Sequence, residues 1–561
     1  MINKIKSGMV MGVDGLIVDI EVDISKGMPY FSVVGLAGAE VRESKERVRS
    51  AIINSGYDFP LNRLVINLSP ADVKKEASYL DLGMCIGILR NKVKKSDDYL
   101  LESAFLGELS LDGKIKNMRG ILSIVIKMKK EGIKRVFIPN SNCPECSQIE
   151  GIDIVGLDSV KECIRLLNMD DKEMASYLSV KYDKSSPNEK DKLKVGLGTK
   201  IGLKNSDKAC LELEEKIKIH VNDKGDLRAK NNDTVDRGNI LEDDFYNIRG
   251  NMVAKRAAMI AVAGGHNMLM IGPPGTGKTM IARSIKTILP KPNSKEELEI
   301  TQIYSAAGLL KEGEGIKKVR PFRQPHHTAT KISIIGGGAK ASMGEITLAH
   351  RGVLFLDEVA EFPKQILEAL RQPIEDSCVN ISRLNHNMTY PASFQLILSM
   401  NPCPCGYYKS HKECSCRQYD IEKYLNKISG PILDRIDIFC EIGKVDFDDL
   451  GDESQRMSSR QILSLVQAAR DIQEKRFGEE DFFVNAQMSS RDIEFYCELD
   501  KESFAMASKI YEKYSLSNRA YTRMLKLART IADLDSREKI SSRDIMEAFS
   551  YRKTYYKYFT K

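Results

Sequence analysis

The sequence predicts an α/β protein in three folded parts, two α/β domains in tandem followed by an all-helical segment. Three observations carry this. Strand-like and helix-like stretches alternate over the first ~165 residues. A strand, a glycine-rich turn and a helix run together in "NMLMIGPPGTGKTMIARSIKTIL". After residue 448, apolar residues recur at helical spacings of three and four. A chain of 561 residues also exceeds what one hydrophobic core usually organises.

Residues 1–168 are expected to form the first domain. "LIVDIEVDI", "YFSVVGL" and "RLVINLS" read as strands, and "EVRESKERVRSAIINSG" as a helix. The opening "MINKIKSGMVMGVDGLIVDIEVDI" is basic and then apolar, like a signal peptide. Asp14, Asp19 and Glu21 interrupt it and no small-residue cleavage site follows, so it reads as a strand of a cytoplasmic protein. Residues 169–240 are rich in Lys, Asp, Asn and Ser and poor in aromatics, too polar to bury a core; they read as a disordered linker with a short helix at "ACLELEEKIKI". Residues 241–448 form the central domain. Residues 449–561 form the helical one, with amphipathic helices in "SRQILSLVQAARDIQEKRF", "RDIEFYCEL" and "NRAYTRMLKLARTIADLD".

Composition excludes several classes. With 42% hydrophobic and 29% charged residues and no apolar run of eighteen, the chain is an ordinary globular protein with no membrane span. A formal charge of +7 leans towards polyanionic partners and is equally explained by solubility. Twelve cysteines over this length are too few for a secreted disulfide scaffold and are expected as reduced thiols.

The chemistry concentrates in the central domain. "GPPGTGKT" comprises Gly272, Pro273, Pro274, Gly275, Thr276, Gly277, Lys278 and Thr279 and fits G-x-x-x-x-G-K-[ST] between a strand and a helix. Its backbone N–H groups can curl around phosphate, Lys278 reaches the β/γ-phosphates and Thr279 holds Mg²⁺. "GVLFLDE" is an apolar strand ending in Asp357, suited to the Mg²⁺ shell, and Glu358, suited to polarising an attacking water. "FQLILSMN" delivers Asn401 to the carboxyl edge of the sheet, where open α/β folds bind ligands. Arg435 follows in "SGPILDRIDIFCEI"; an arginine near a γ-phosphate stabilises transition-state charge, and a surface ion pair is the alternative.

The series "GPPGTGKT", "PFRQPHHTAT", "GEITLAHRGVLFLDE", "LRQPIEDSCVNISR", "SMNPCPCGYY" and "SGPILDRIDI" resembles the magnesium-chelatase-like AAA+ ATPases, in particular the YifB/ComM group. The resemblance covers all but the linker and implies ATP and Mg²⁺ as ligands. It makes Lys278 and Thr279 Walker A, Asp357 and Glu358 Walker B, and Asn401 sensor 1. Arg435 resembles the finger that acts on the adjacent protomer's ATP. Arg519, in "SNRAYTRML", resembles the nucleotide-binding sensor 2 arginine of a helical lid, with Arg523 one turn on as the alternative. The family implies a hexameric ring that acts on single-stranded or branched DNA in the manner of a branch-migration helicase. A chelatase-type subunit working through a partner, and a non-enzymatic scaffold, are the competing readings.

The first domain resembles the proteolytic domain of Lon through "GELSLDGKIKNMRGILSIVIKMKKEGIKRVFIP". Leu122 falls where that pattern has its catalytic Lys and Tyr79 where it has its Ser. Ser78 is one residue out of register, so proteolysis is not expected. "PFRQPHHTATKISIIGGGAKASMGE" resembles the helix-2 insert of this AAA+ clade. "VNISRLNHNMTYPASFQLI" reads as a hairpin whose tip, near Arg383 to Asn387, resembles the DNA-facing pre-sensor hairpin of related helicases. His326 and His327 are expected to point apart.

Cys403, Cys405, Cys414 and Cys416 form C-x-C, eight residues, C-x-C. Four thiolates so close suit a tetrahedral structural Zn²⁺, although C-x₂-C is the more usual spacing. Unliganded thiols and redox chemistry are the alternatives. "CPEC", at Cys143 to Cys146, lacks a second pair and is not expected to bind metal.

Overall fold

The computed structural model describes residues 2–75, 78–184, 243–338, 341–383, 386–445, 456–478, 480 and 482–560. "ACLELEEKIKI" and most of the expected linker lie outside them, as do Leu384 and Asn385 at the hairpin tip and residues 446–448. No helix among the described residues is long and apolar enough to cross a membrane.

The N-terminal domain is built on β1 (Ile2–Met11), β2 (Asp14–Ser25), β3 (Tyr30–Val34), β4 (Arg63–Ser69), β5 (Ser103–Phe105), the short ladder β6 (Glu108–Leu109) with β7 (Ile115–Lys116), β8 (Arg135–Pro139) and β9 (Asp153–Leu157). Seven of these strands form one mixed sheet in the order β3-β4-β2-β1-β5-β8-β9. In β2, Val18, Ile20 and Val22 are buried while Asp19, Glu21 and Asp23 face outward, the period-two pattern of a half-buried antiparallel strand. Helix Ile121–Lys130 lies on the other face so closely that a Cβ on Gly15 would sit 2.5 Å from the Ser123 carbonyl oxygen.

Leu122 and Tyr79, the positions where the Lon-like pattern would have its dyad, serve packing here. Leu122 is fully buried in the core, and the Tyr79 ring is wedged between the two cores of the domain. Ser78 donates its hydroxyl to Glu108, and Glu108 also accepts from Lys116 at 3.3 Å.

The expected linker begins later than residue 169. Helix Asp171–Lys184 continues the domain, with Met174 and Leu178 buried one turn apart and Tyr177 beside them. The polar composition around this stripe obscured it, since three apolar residues at helical spacing suffice to dock a short helix.

The central domain contains β10 (Met268–Ile271), β11 (Phe322–Arg323), the small hairpin β12 (Gly336–Gly337) and β13 (Ser342–Met343), β14 (Val353–Leu356), the hairpin β15 (Cys378–Arg383) and β16 (His386–Pro391), β17 (Gln395–Met400) and β18 (Ile438–Glu441). Five strands form an all-parallel sheet ordered β11-β14-β17-β10-β18. Every residue of β10, β14 and β17 is buried. Along them the side chains alternate between two cores. Met268, Met270, Val353, Phe355 and Ile397 face one; Leu269, Ile271, Leu354, Leu356 and Leu398 face the other.

The C-terminal part consists of helices, chiefly Ser459–Phe477, Lys501–Lys513, Asn518–Leu534 and Ser542–Phe559, which share the first of these cores. A buried polar joint ties them to the sheet. His266 lies 3.3 Å from the Asp437 carboxylate through Nδ1 and 2.7 Å from the Thr530 hydroxyl through Nε2, and Arg523 pairs with Asp437 at 2.5 Å. Desolvation would raise the Asp437 carboxyl, but the Arg523 charge and the His266 contact outweigh it and hold the group well below the usual carboxylate range.

A second joint connects the N-terminal domain to helix Ser294–Ala306, which starts from a capping box between Asn293 and Glu296. Gln302 donates to the Val13 carbonyl at 2.8 Å, Gly120 N–H to the Ser305 carbonyl at 3.0 Å, and the Ser305 hydroxyl to Glu145 at 2.5 Å. Glu145, inside "CPEC", is buried, and desolvation raises its carboxyl above the ordinary 4.5 despite hydrogen bonds from Ser305 and Asn142. The folded chain therefore keeps this proton to higher pH than the unfolded chain does. The seam's contribution is complete below the unfolded value and is lost as pH rises through the raised folded one. Glu145→Gln, neutral at every pH, is expected to melt at or above the parent's temperature near about pH 8 and to lose that advantage near about pH 4. Thermal unfolding across this range checks it, and a variant less stable than the parent at every pH would contradict the assignment.

Candidate nucleotide site and the thiolate cluster beside it

The loop Gly272–Gly277 leaves the carboxyl end of β10 and enters helix Lys278–Ser284. Gly275 and Gly277 have φ of +77° and +88°, so the loop needs glycine at both places to turn its N–H groups inward. On the neighbouring strands, Asp357 follows β14 and Asn401 follows β17. The register pairs Leu356 with Leu398 and Ile271 with Met400, so the three chain exits open onto one edge.

Contacts between the motifs follow from this. Thr279 donates its hydroxyl to Asp357 at 2.8 Å. Lys278 Nζ donates to Asn401 Oδ1 at 3.1 Å and to the carbonyls of Gly272 and Pro273 at 2.8 and 2.7 Å. A hydroxyl and a carboxylate side by side are hard oxygen donors that fit Mg²⁺, and the glycine-lined loop around an ammonium fits polyphosphate. Glu358 sits at φ +51°, a left-handed conformation rare for a residue with a side chain, held by N–H bonds to Asp357 at 3.1 Å and to the Ser399 hydroxyl at 3.2 Å. Ser399 also donates to Asp357. Sequence reading missed Ser399; its signal is its place in β17 two residues before Asn401, on the strand beside β14.

Arg435 and Arg519 are not brought to this loop. Both line a separate cleft with Arg351, Arg523 and Lys526, a concentration of cations. The Arg435 guanidinium is ion-paired with Glu375 and donates to the Pro431 carbonyl at 2.6 Å. Arg523, the alternative to Arg519, is committed to Asp437 and also donates to the Arg435 carbonyl at 3.3 Å, whereas Arg519 is exposed within the cleft. Glu375 and Asp437 were not legible as partners, because each meets its arginine only through the fold.

The thiols of Cys403, Cys405, Cys414 and Cys416 lie within 4.8 Å of one another. Cys403 is 3.4 Å from Cys405 and 3.6 Å from Cys414, and Cys405 is 3.5 Å from Cys414. Zn–S bonds of about 2.3 Å in a tetrahedron require S···S edges of about 3.8 Å, so the quartet fits zinc despite its C-x-C spacing. Backbone N–H groups of Cys405 and Tyr408 point at the sulfurs of Cys416 and Cys403, at 3.4 and 3.3 Å. The histidine pair departs from expectation: His326 and His327 have ring centroids 4.1 Å apart, and His326 Nδ1 lies 2.9 Å from the Thr328 hydroxyl. Neither belongs to the metal-capable group among the described residues.

This fold and site define a magnesium-chelatase-like AAA+ ATPase. Family models described as "Magnesium chelatase, subunit ChlI", "Subunit ChlI of Mg-chelatase" and "Magnesium chelatase, subunit ChlI C-terminal" match residues 244–450, 20–142 and 456–552. The chain is 37% identical to "Uncharacterized protein YifB" of Escherichia coli, covering 97% of this chain and 95% of that one. It is 35% identical to "Competence protein ComM" of Haemophilus influenzae, over 97% and 96% respectively. The chain therefore belongs to the YifB/ComM family.

Burial pulls the Lys278 ammonium down to about 8, against the opposing effect of Asp357 and Glu358. Phosphate oxygens favour the charged form, so nucleotide binding above about pH 8 is expected to take up part of a proton and to weaken as pH rises. Calorimetry of ADP binding at about pH 8.5, in two buffers of different ionisation enthalpy, measures the uptake; identical heats would rule it out.

Proposed function

We propose that the protein is a homohexameric ring motor that hydrolyses ATP and acts on single-stranded or branched DNA as a branch-migration helicase. The observation that carries this reading is the separation of two half-sites. Lys278, Thr279, Asp357, Glu358 and Asn401 are clustered, while Arg435 and Arg519 lie in another cleft. A second copy would complete the site by presenting its arginines.

Bound Mg²⁺ supplies charge neutralisation of the phosphates. Thr279 and Asp357 would hold it, with Ser399 fixing the other Asp357 oxygen. Lys278 exchanges its two loop carbonyls for phosphate oxygens, and Asn401 aims the ammonium. Glu358, its backbone locked, accepts the proton of the attacking water. Arg435 of the adjoining copy leaves Glu375 and stabilises the charge developed in phosphoryl transfer. The hairpin β15–β16 and the segment around β12–β13 supply the DNA-facing surface, and the relative named a competence protein supports a role in natural transformation. The thiolate quartet holds a structural zinc ion.

The match to chelatase subunit models supports a second reading, an ATPase that drives metal insertion through a partner protein. Branched DNA is expected to raise the ATPase rate severalfold. Glu358→Gln should lower that rate by about 10²-fold or more, and Arg435→Ala by about 10³-fold. Steady-state hydrolysis with and without DNA decides between the readings. No response to any DNA would favour the chelatase type.

A further inference from the structure

The cysteine loop is packed against the nucleotide loop itself. Gly406, between Cys405 and the aromatic pair Tyr407 and Tyr408, has φ +87°, and a Cβ placed there would lie 2.6 Å from Pro274 Cδ. Asn401, two residues before Cys403, holds the Lys278 ammonium. The far side of the loop is fastened as well. The Tyr408 ring packs edge-on against Tyr558 at 6.4 Å, and Lys409 donates to the Lys557 carbonyl on the C-terminal helix. Lys557 and Tyr558 in turn bond Glu441 at 2.6 and 2.9 Å. Glu441 ends β18, and the next residue, Ile442, lies against Gly272 at the start of the phosphate loop.

The phosphate loop is thus gripped at both ends, with the cysteine cluster closing one side of the grip. From this geometry we propose that metal occupancy of Cys403, Cys405, Cys414 and Cys416 sets nucleotide affinity, the metal-held loop being the wall that keeps Pro274 and Lys278 in their binding geometry. The proposal rests on the zinc and ATPase readings above. The physical reason is that the thirteen residues from Asn401 to Glu413 contain no regular secondary structure, so a cross-link among the sulfurs adds to the few contacts that fix their shape. Without it, the loop is free to relax away from Pro274, and ordering it again would be charged against nucleotide binding. Linkage makes the effect reciprocal: the nucleotide tightens zinc by the same factor by which zinc tightens the nucleotide.

The test uses the full-length protein. Zinc content is measured by elemental analysis. Affinity for a fluorescent ADP is then compared between zinc-loaded protein, protein stripped by chelator under reducing conditions, and stripped protein with zinc restored. Stripping is expected to weaken ADP binding on the order of tenfold, and restoration to recover it. Gly406→Ala is expected to weaken ADP binding while retaining zinc, because the new methyl group meets Pro274. Should stripped protein unfold, zinc competition against a colorimetric chelator, with and without ADP, reads the same coupling on the intact chain; ADP should raise zinc affinity by the same factor. Bound zinc with equal ADP affinity in loaded and stripped protein, or equal zinc affinity with and without ADP, overturns the inference and leaves the zinc reading standing. Absence of zinc from the purified protein overturns it together with the zinc reading. Zinc-loaded protein that binds no ADP overturns it together with the ATPase reading.

Discussion

The adjacency of three parallel strands, β14, β17 and β10, is the constraint on which the rest of the structure depends. Each is buried on both faces, so its register is fixed by two cores at once; a slip of one residue would send every side chain to the wrong side. With Leu356 beside Leu398 and Ile271 beside Met400, the strands end within reach of one another. Thr279 can then meet Asp357, Lys278 can meet Asn401, and Ser399 can brace both Asp357 and the Glu358 backbone. These bonds are consequences of the ladder; none is strong enough to impose it.

Two polar joints attach the other domains to this sheet. His266, Asp437, Thr530 and Arg523 connect it to the helices, and Gln302, Ser305 and Glu145 connect it to the N-terminal domain. Buried polar contacts of this kind add little net stability compared with apolar packing, but each is costly to leave half made. Such joints suit an assembly whose parts must hold a defined angle. The first also fixes the backbone of Arg435, since Asn267 and Arg523 both donate to its carbonyl. The orientation of the proposed finger thereby depends on the seating of the helices.

Much of this architecture was legible in the sequence. The glycine-rich turn, Asp357, Glu358 and Asn401 stand at the ends of strands where contiguous strand and turn text puts them, and a hairpin forms at Cys378–Arg383 and His386–Pro391 in the text that reads as one. The helix Asp171–Lys184 was hidden in polar text, and the close approach of the tilted His326 and His327 rings ran against the usual divergence of neighbouring side chains.

Local pattern therefore indicates which elements form along the chain and which reactive residues each element carries. It could not say which distant elements meet. Spacing left Arg523 open as the alternative to Arg519, and the fold gives the two different surroundings by placing Asp437 beside Arg523. Spacing placed the cysteine loop merely between Asn401 and Arg435, and the fold set Gly406 against Pro274. The reason is common to both. Helix, strand and turn preferences act within a few residues of chain, whereas a contact between residues 274 and 406 exists only after the sheet has brought β10 and β17 side by side.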